Sequence, residues 1–392
     1  MAILNPKIEM AKRTFVVPPF SMSNLLKVES SIDDLISLMK ARLEEVSKDG
    51  NPVDFSQWIK FLVWDIAGEI TFSKRFGFLD TGTDVRDVQK NTFFLGFYVT
   101  FMGYCQWLHT ILLGNPILRW LDFQPNEHTF QTCVKAFAER ETTKRTHLDM
   151  VDYWTKAHEE HPSQFSEIDV FAAAVGNVGA GGDGPAAAVN AVFYFLLKAD
   201  PQHLASVLHE IDTLQALGKL SPIVQYTEAT AQQLPYLQAC IKETLRFFPS
   251  VAWNLPRIVG PEGLTIGPHN FAPGTILSIN PYVVHRDESL FGPDAGSFNP
   301  SRWLVSEEKS RQLDSFMVPF GGGYNMCPGQ NLARLELTKI TATVLRDFEI
   351  ELVDPGKEWE YHRTFIVPQR GWDCFVRKRD RGKGGEDGGK NL

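Results

Sequence analysis

The sequence predicts a mainly α protein with a small β subdomain, and two observations support this fold class. Apolar residues recur at helical spacing through most of residues 1–250. Residues 257–287 instead form short, β-branched runs punctuated by Gly and Pro, as strands and turns do. No repeat or clear linker interrupts the chain, so residues 1–378 are predicted to form one domain. Residues 379–392 are polar and rich in glycine, and are predicted to be a disordered tail.

The individual elements follow from spacing and from capping signals. Helices are predicted at residues 30–48, 54–76, 166–200 and 329–348, and a terminal hairpin at residues 365–378. The longest helix opens with a capping box, Ser166 to Asp169, and closes at Asp200–Pro201. Because apolar groups lie on most of its faces, we expect it to run buried through the centre of the fold. Its middle, GAGGDGP, would normally end a helix.

Composition narrows the classes of function. The chain has 392 residues, 43% of them hydrophobic, which is enough for a sizeable core. A formal net charge of −8 gives no electrostatic support for a nucleic-acid partner. The five cysteines are widely spread and form no CxxC pair, which argues against a disulfide framework or a zinc site. No uninterrupted apolar run approaches the roughly 18 residues of a membrane span, so none is predicted.

One cysteine, Cys327, lies in the contorted sequence FGGGYNMCPG. A thiolate can be an axial iron ligand where the surrounding chain satisfies its charge and excludes water. Glycines let backbone N–H groups turn toward the sulfur and let a flat cofactor approach, and Pro328 suits the first turn of the helix that follows. The N-terminus of that helix is expected to lower the pKa of the thiol. The spacing of Phe320, Gly323, Cys327 and Gly329 therefore suits haem-thiolate ligation, with a buried cysteine in a glycine-rich turn as the alternative.

A second motif predicts a buried ion pair. Glu243 and Arg246 in KETLRFFP are spaced i,i+3 and share one helical face. The helix is apolar around them and ends at Pro249, which indicates burial. Since a buried ion pair needs further partners, Arg302 in FNPSRW is the candidate third member.

The order of these motifs resembles the cytochrome P450 family. Glu-x-x-Arg, then Arg within F-x-P-x-R-W, then the Phe–Gly–Cys–Gly loop follow one another over residues 243–329. GAGGDG in the long helix resembles the oxygen-binding helix of that family, and Arg13 and Arg257 resemble its contacts to the haem propionates. The resemblance is greatest to fungal members of secondary metabolism related to pisatin demethylase. The chain begins at what resembles the third major helix of the family, which implies a P450 fold without membrane anchor, first strands and first helices.

The resemblance implies a haem-thiolate monooxygenase with haem b as cofactor and Cys327 as the iron ligand, surrounded by Phe320, Gly323 and Gly329. Electrons from NADPH would arrive through NADPH–cytochrome P450 reductase. The substrates would be O₂ and a small apolar organic molecule. Members of this branch are normally anchored at the cytosolic face of the endoplasmic reticulum, whereas the absence of an anchor here predicts a cytoplasmic location.

Two positions depart from the family pattern. The helix that binds oxygen usually carries a Thr where this chain has Gly184, and loss of that hydroxyl is expected to favour leakage of reducing equivalents to peroxide or water. Asp183 is then the expected proton-relay acid. The carbonyl of Gly181, which Pro185 leaves without a helical donor, is expected to bind a water. Asn325 also stands where the family usually has Arg, so Arg13 and Arg257 would be the residues that bind the haem propionates.

Candidate substrate contacts follow from the same resemblance. They are Asn177, Val251, Ala252, Trp253 and Phe365. Two other functions stay open. A haem-thiolate isomerase or dehydratase that does not use O₂ would tolerate the missing Thr and would turn over without NADPH. A catalytically inactive, truncated haem-binding fragment is the third hypothesis.

Overall fold

The computed structural model describes residues 6–112, 115, 127–142, 147–362 and 364–380. Before residue 113 the α-helices are α1 (Pro6–Val16), α2 (Met22–Leu25), α3 (Glu29–Val46), α4 (Phe55–Phe72), α5 (Phe78–Thr81), α6 (Val88–Met102) and α7 (Gln106–Ile111). The later ones are α8 (Glu127–Thr142), α9 (Met150–Glu160), α10 (Glu167–Lys198), α11 (Pro201–Ala216), α12 (Pro235–Phe247), α13 (Pro281–Val284), α14 (Glu288–Phe291), α15 (Glu307–Ser315) and α16 (Gln330–Asp347). Among the described residues, no helix combines the length and hydropathy of a transmembrane segment.

Within the described residues, the strands form four antiparallel pairs. They are β1 (Leu255–Ile258) with β4 (Ile276–Ile279), β2 (Leu264–Ile266) with β3 (His269–Phe271), β5 (Phe348–Leu352) with β8 (Cys374–Lys378), and β6 (Glu360–Tyr361) with β7 (Gln369–Arg370). The predicted terminal hairpin at 365–378 is wrong, because β7 and β8 pair with earlier strands rather than with each other. Most of the predicted tail, residues 381–392, lies outside the described residues.

The central helix α10 is continuous through the sequence that would normally end a helix. The predicted capping box is present, with Ser166 and Asp169 bonding reciprocally, and Pro185 lies inside the helix. Packing against α4 compensates for the weak helix formers. A Cβ added at Gly182 would lie 2.3 Å from an indole carbon of Trp64, and one at Gly181 would lie 3.6 Å from Ala67 Cβ. Close approach between the two helices therefore outweighs intrinsic propensity in this segment.

Buried ion pairs fix α16 against α3. The ammonium group of Lys339 is fully buried and contacts the carboxylates of Glu29 at 2.6 Å and Asp33 at 2.7 Å. One end of the same helix is tied by Asp347, whose carboxylate lies 2.6 Å from Lys40 Nζ. Paired in this way, the buried charges avoid the penalty of an isolated ion. They hold in place the helix whose N-terminus carries the cysteine loop.

Candidate active site

The cysteine loop is closed by backbone hydrogen bonds. The N–H of Cys327 donates to the carbonyl of Phe320 at 2.8 Å, and the N–H of Met326 donates to Gly323 at 3.2 Å. Gly321 and Gly323 have φ of 72° and 67°, a left-handed conformation that other residues adopt only with strain. The loop thus needs these glycines for its own turns. Helix α16 begins at Gln330, two residues later than Pro328 suggested.

Cys327 is exposed, whereas Cys133, Cys240 and Cys374 are buried and Cys105 is half-buried. The N–H of Gly329 at the helix terminus lowers the pKa of the Cys327 thiol, as expected, and so does the charge of Arg13. Although the residue as a whole is exposed, loop atoms displace water from around the sulfur, and this larger effect leaves the pKa of the free thiol raised. A bound cation would lower the pKa of the thiol instead, since a metal-ligating thiol is deprotonated outright.

One arginine contacts the cysteine loop, and a second lies on a strand beside it. Nη2 of Arg13, on α1, donates to the carbonyl of Met326 at 2.6 Å, next to the cysteine. Arg257 lies exposed on β1, where its Nη1 donates to the carbonyl of Pro256 at 2.8 Å. That strand also touches the loop, because a Cβ at Gly321 would lie 3.9 Å from Leu255 Cδ1. Both guanidinium groups can offer charge-assisted hydrogen bonds to an anionic cofactor.

Helix α10 packs against α4 on one side and has open space beside Gly184 on the other. The carboxyl group of Asp183 accepts a hydrogen bond from Trp64 Nε1 at 3.1 Å, on the α4 side. Apart from its chain neighbours and the adjacent backbone of its own helix, no atom of the described residues lies within 4 Å of a Cβ built at Gly184. Ala180, one turn earlier on the same face, is exposed although its helix is central. This face therefore leaves space that side chains would fill.

The predicted ion pair is confirmed and is fully buried. Arg246 donates from Nε and Nη2 to the two carboxylate oxygens of Glu243 at 2.8 and 2.7 Å. Arg302 joins as predicted, with its Nε 3.2 Å from Glu243 Oε1, and Trp303 Nε1 donates to Oε2 at 3.0 Å. The carboxylate is thus saturated with donors, as a buried charge must be.

His285 connects this cluster to the segment before the cysteine loop. Arg246 Nη1 donates to its carbonyl at 2.6 Å, and the N–H of Val318 donates to its Nε2 at 2.9 Å. Burial lowers the pKa of His285 to about 4, so the ring is neutral and can accept that bond. This acceptor role was not predicted from the sequence.

A cavity of about 550 Å³ receives two of the expected substrate contacts, Ala252 and Trp253. Its other lining residues are mostly aromatic or apolar, and are Tyr104, Phe248, Pro249, Asn254, Asn280, Tyr282, Val283, Tyr361 and Val367. Val251 is half-buried beside this lining. Asn177 instead donates to Thr71 Oγ1 at 2.8 Å, and the exposed Phe365 donates its N–H to Thr100 Oγ1 at 2.9 Å.

The residues present fit a haem. The thiol of Cys327 is accessible, the open face at Gly184 leaves room, and Arg13 offers a cationic donor at the loop. The Oδ1 atom of Asn325 is buried and has no hydrogen-bond partner within the described part of the chain. An exposed thiol just before the N-terminus of a buried helix is an arrangement that can ligate a haem iron, as in the class of haem-thiolate proteins.

Comparisons with known proteins identify the family. The family model for cytochrome P450 matches residues 1–372. Cytochrome P450 monooxygenase cicH of Emericella nidulans is 36% identical over 371 residues, which cover 92% of this chain and 73% of the relative. Cytochrome P450 monooxygenase AFLA_114810 of Aspergillus flavus is 29% identical over 383 residues, which cover 94% of this chain and 74% of the relative.

A solved structure agrees in fold. The crystal structure of the cytochrome P450 CYP102L1 matches with a TM-score of 0.77 and 20% identity, over 96% of this chain and 80% of that one. The chain belongs to the cytochrome P450 family. It is an oxidoreductase of the monooxygenase type, with the mainly α P450 fold that the sequence predicted, and membership of the family implies haem.

Proposed function

We propose that the protein inserts one oxygen atom from O₂ into a small apolar natural product of fungal secondary metabolism. The observation that carries the proposal is the exposed thiol of Cys327, held at the start of α16 in a loop closed by backbone hydrogen bonds. The fungal relatives named above support the setting. Haem b is the proposed cofactor, and NADPH–cytochrome P450 reductase is the proposed electron donor. The proposed location is the cytosolic side of the cell, either at the endoplasmic reticulum membrane, as for this branch of the family, or in the cytoplasm.

When bound, haem supplies the activation of O₂, and electron donation from a thiolate favours O–O cleavage. The chain supplies the surroundings. Cys327 is the proposed iron ligand, and the N–H of Gly329 stabilises its charge. Phe320 and Gly323 shape the loop. Arg13 and Arg257 are the proposed propionate contacts, since both guanidinium groups lie on elements that touch the loop.

Proton delivery is proposed to use Asp183 and Gly181. Asp183 is half-buried, and desolvation of its carboxyl raises the pKa of that group, which favours a protonated carboxyl that can donate a proton. Pro185 has no N–H, so the carbonyl of Gly181 keeps an unused lone pair inside the helix. A water bound there would complete the relay.

The cavity beside Trp253 supports an apolar substrate. Its aromatic and aliphatic lining removes apolar surface from water, while Asn254 and Asn280 are its amide groups. A volume of about 550 Å³ suits a small organic molecule rather than a polymer. We propose that this cavity receives part of the substrate.

One observation favours a second candidate. Gly184 provides no hydroxyl on the open face of α10, and an isomerase or dehydratase that does not use O₂ would need none. Such an enzyme would turn over without NADPH or reductase. The inactive-fragment hypothesis makes a different prediction, because it expects no stable haem complex.

The reduced, carbon-monoxide-bound absorption spectrum tests the proposal. We expect the red-shifted Soret band of a thiolate-ligated haem, lost in Cys327→Ala. Cys374→Ala is the matched control, because Cys374 is buried on β8 and should leave the band in place. A folded protein without the band would refute haem-thiolate function, and a band that survives Cys327→Ala would refute the ligand. Turnover that requires NADPH and O₂ would decide against the isomerase.

A further inference from the structure

The indole of Trp64 packs against the central helix α10 at Gly182. Trp64 is fully buried on α4. A Cβ at Gly182 would lie 2.3, 2.6 and 2.8 Å from three of its ring atoms. Real Cβ atoms do not approach so closely, so any side chain at residue 182 would displace the ring. Gly182 is therefore the residue that lets a tryptophan reach the backbone of α10.

The position of the Trp64 ring determines where the Asp183 carboxyl points. Trp64 Nε1 donates to its Oδ1 at 3.1 Å. Each residue turns an α-helix by about 100°, so Gly184 lies about 200° round from Gly182, on the face away from α4. Asp183 projects between these two faces. One hydrogen bond thus holds its carboxyl on the α4 side instead of the open Gly184 side.

We propose that Trp64 is a positioning residue for proton delivery, which fixes the Asp183 carboxyl group on the α4 side of the central helix. The inference rests on the proposed function, in which Asp183 relays protons. Trp64 touches neither substrate nor cofactor in this role and acts only through Asp183.

The charges around Asp183 give the contact a measurable effect. Burial raises the pKa of this carboxyl, Lys60 and the Trp64 N–H lower it, and Asp84 raises it. Lys60 lies one turn before Trp64 on α4, and Asp84 lies just before α6. An N–H that bonds the carboxylate stabilises its charged form. Without the Trp64 N–H, less opposes the rise in pKa that burial causes. The Asp183 carboxyl should therefore bind its proton more tightly.

Infrared spectroscopy of the haem-loaded protein as a function of pH measures this directly. The protonated-carboxyl band that disappears in Asp183→Asn belongs to Asp183. In Trp64→Phe we expect that band to shift in frequency and its titration midpoint to rise. With reductase and NADPH, we expect the rate of O₂ consumption to fall on the order of tenfold, a part of the 10²–10⁴ that positioned proton transfer contributes.

A matched control separates positioning from packing. Trp154 is also fully buried, and its Nε1 donates at the same 3.1 Å, but to the carbonyl of Val16. Trp154→Phe should leave the band and its midpoint unchanged. If Trp64→Phe does not fold, Gly182→Ala places a Cβ where the indole lies, and displacing the ring should again raise the midpoint.

The outcomes are distinguishable. Trp64→Phe or Gly182→Ala that titrates like the wild type would overturn the positioning role. An infrared shift with unchanged O₂ consumption would also overturn it, since the contact would then be structural only. Loss of the carbon-monoxide band in the wild type would instead refute the proposed function, whatever the infrared result.

Discussion

The side chain of Glu336 on α16 lies in an environment that disfavours the charged form of its carboxyl group. Its side chain is fully buried, and neither carboxylate oxygen has a hydrogen-bond partner within the described residues. Burial raises its pKa well above the ordinary value of 4.5. The native state therefore binds the proton more tightly than the unfolded chain. Stability is present at pH values below 4.5 and is lost as the pH rises toward the folded-state pKa.

We expect Glu336→Gln to stabilise the protein by an amount that grows with pH. Gln is neutral and similar in size, so it keeps the buried polar group but cannot ionise. Each pH unit between the two pKa values is worth about 1.4 kcal/mol. The variant should thus match the wild type near pH 4.5, and its advantage should increase by about 1.4 kcal/mol for each further pH unit until the folded-state pKa is reached.

Urea unfolding followed by circular dichroism at several pH values measures this difference. Glu349→Gln is the control, because Glu349 is exposed on β5 and its replacement should change the free energy of unfolding little at any pH. A constant gain across the pH range would contradict the reasoning. So would a loss that grows with pH, since it would show that Glu336 is ionised and paired.

Two further predictions concern the buried cluster. Glu243→Gln should cost about 3–5 kcal/mol in unfolding experiments, because it leaves Arg246 buried without its counter-charge; a cost below 1 kcal/mol, as in a surface pair, would contradict burial of the charge. His285, with its pKa lowered to about 4, should make the protein lose about 3 kcal/mol as the pH falls from 6.5 to 4, since only the unfolded ring binds a proton there. That loss should be absent in His285→Gln, measured by the same denaturant titrations.

The sequence predicted best what depends on near neighbours along the chain. The capping box at Ser166 and the i,i+3 pair of Glu243 with Arg246 are local, and both are present. The partner of β8 could not be predicted in the same way. Alternation marks a strand but not its neighbour, and β8 pairs with β5 through residues that begin at Phe348 opposite Lys378.

The candidate active site likewise combines local features that the sequence predicted with long-range contacts that it did not. The spacing around Cys327 predicted a closed, glycine-dependent loop, but not the sign of the thiol pKa, which depends on how much water the folded loop excludes. Trp64 was missed because it lies 119 residues before its partner Asp183. A signal did exist in Gly182. A glycine inside a buried helix indicates that something packs closely against it, although it cannot say what.

Gly184 differs from Gly182 in being unconstrained, and this makes it the most informative position for function. No described atom lies within 4 Å of a Cβ there, so packing does not require a glycine. Gly184→Ser would restore a hydroxyl, and Gly184→Ala adds the same carbon without it. Both should stabilise α10 slightly relative to glycine.

In a monooxygenase, the hydroxyl should improve proton delivery beside Asp183. We expect Gly184→Ser to lower the hydrogen peroxide released per NADPH oxidised, with Gly184→Ala equal to the wild type. Equal peroxide yields in Ser and Ala would show that residue 184 lies outside the proton path. If neither variant consumes NADPH while the carbon-monoxide band is present, the missing hydroxyl marks chemistry without O₂. The open face of α10 therefore distinguishes the two functions through a single side-chain oxygen.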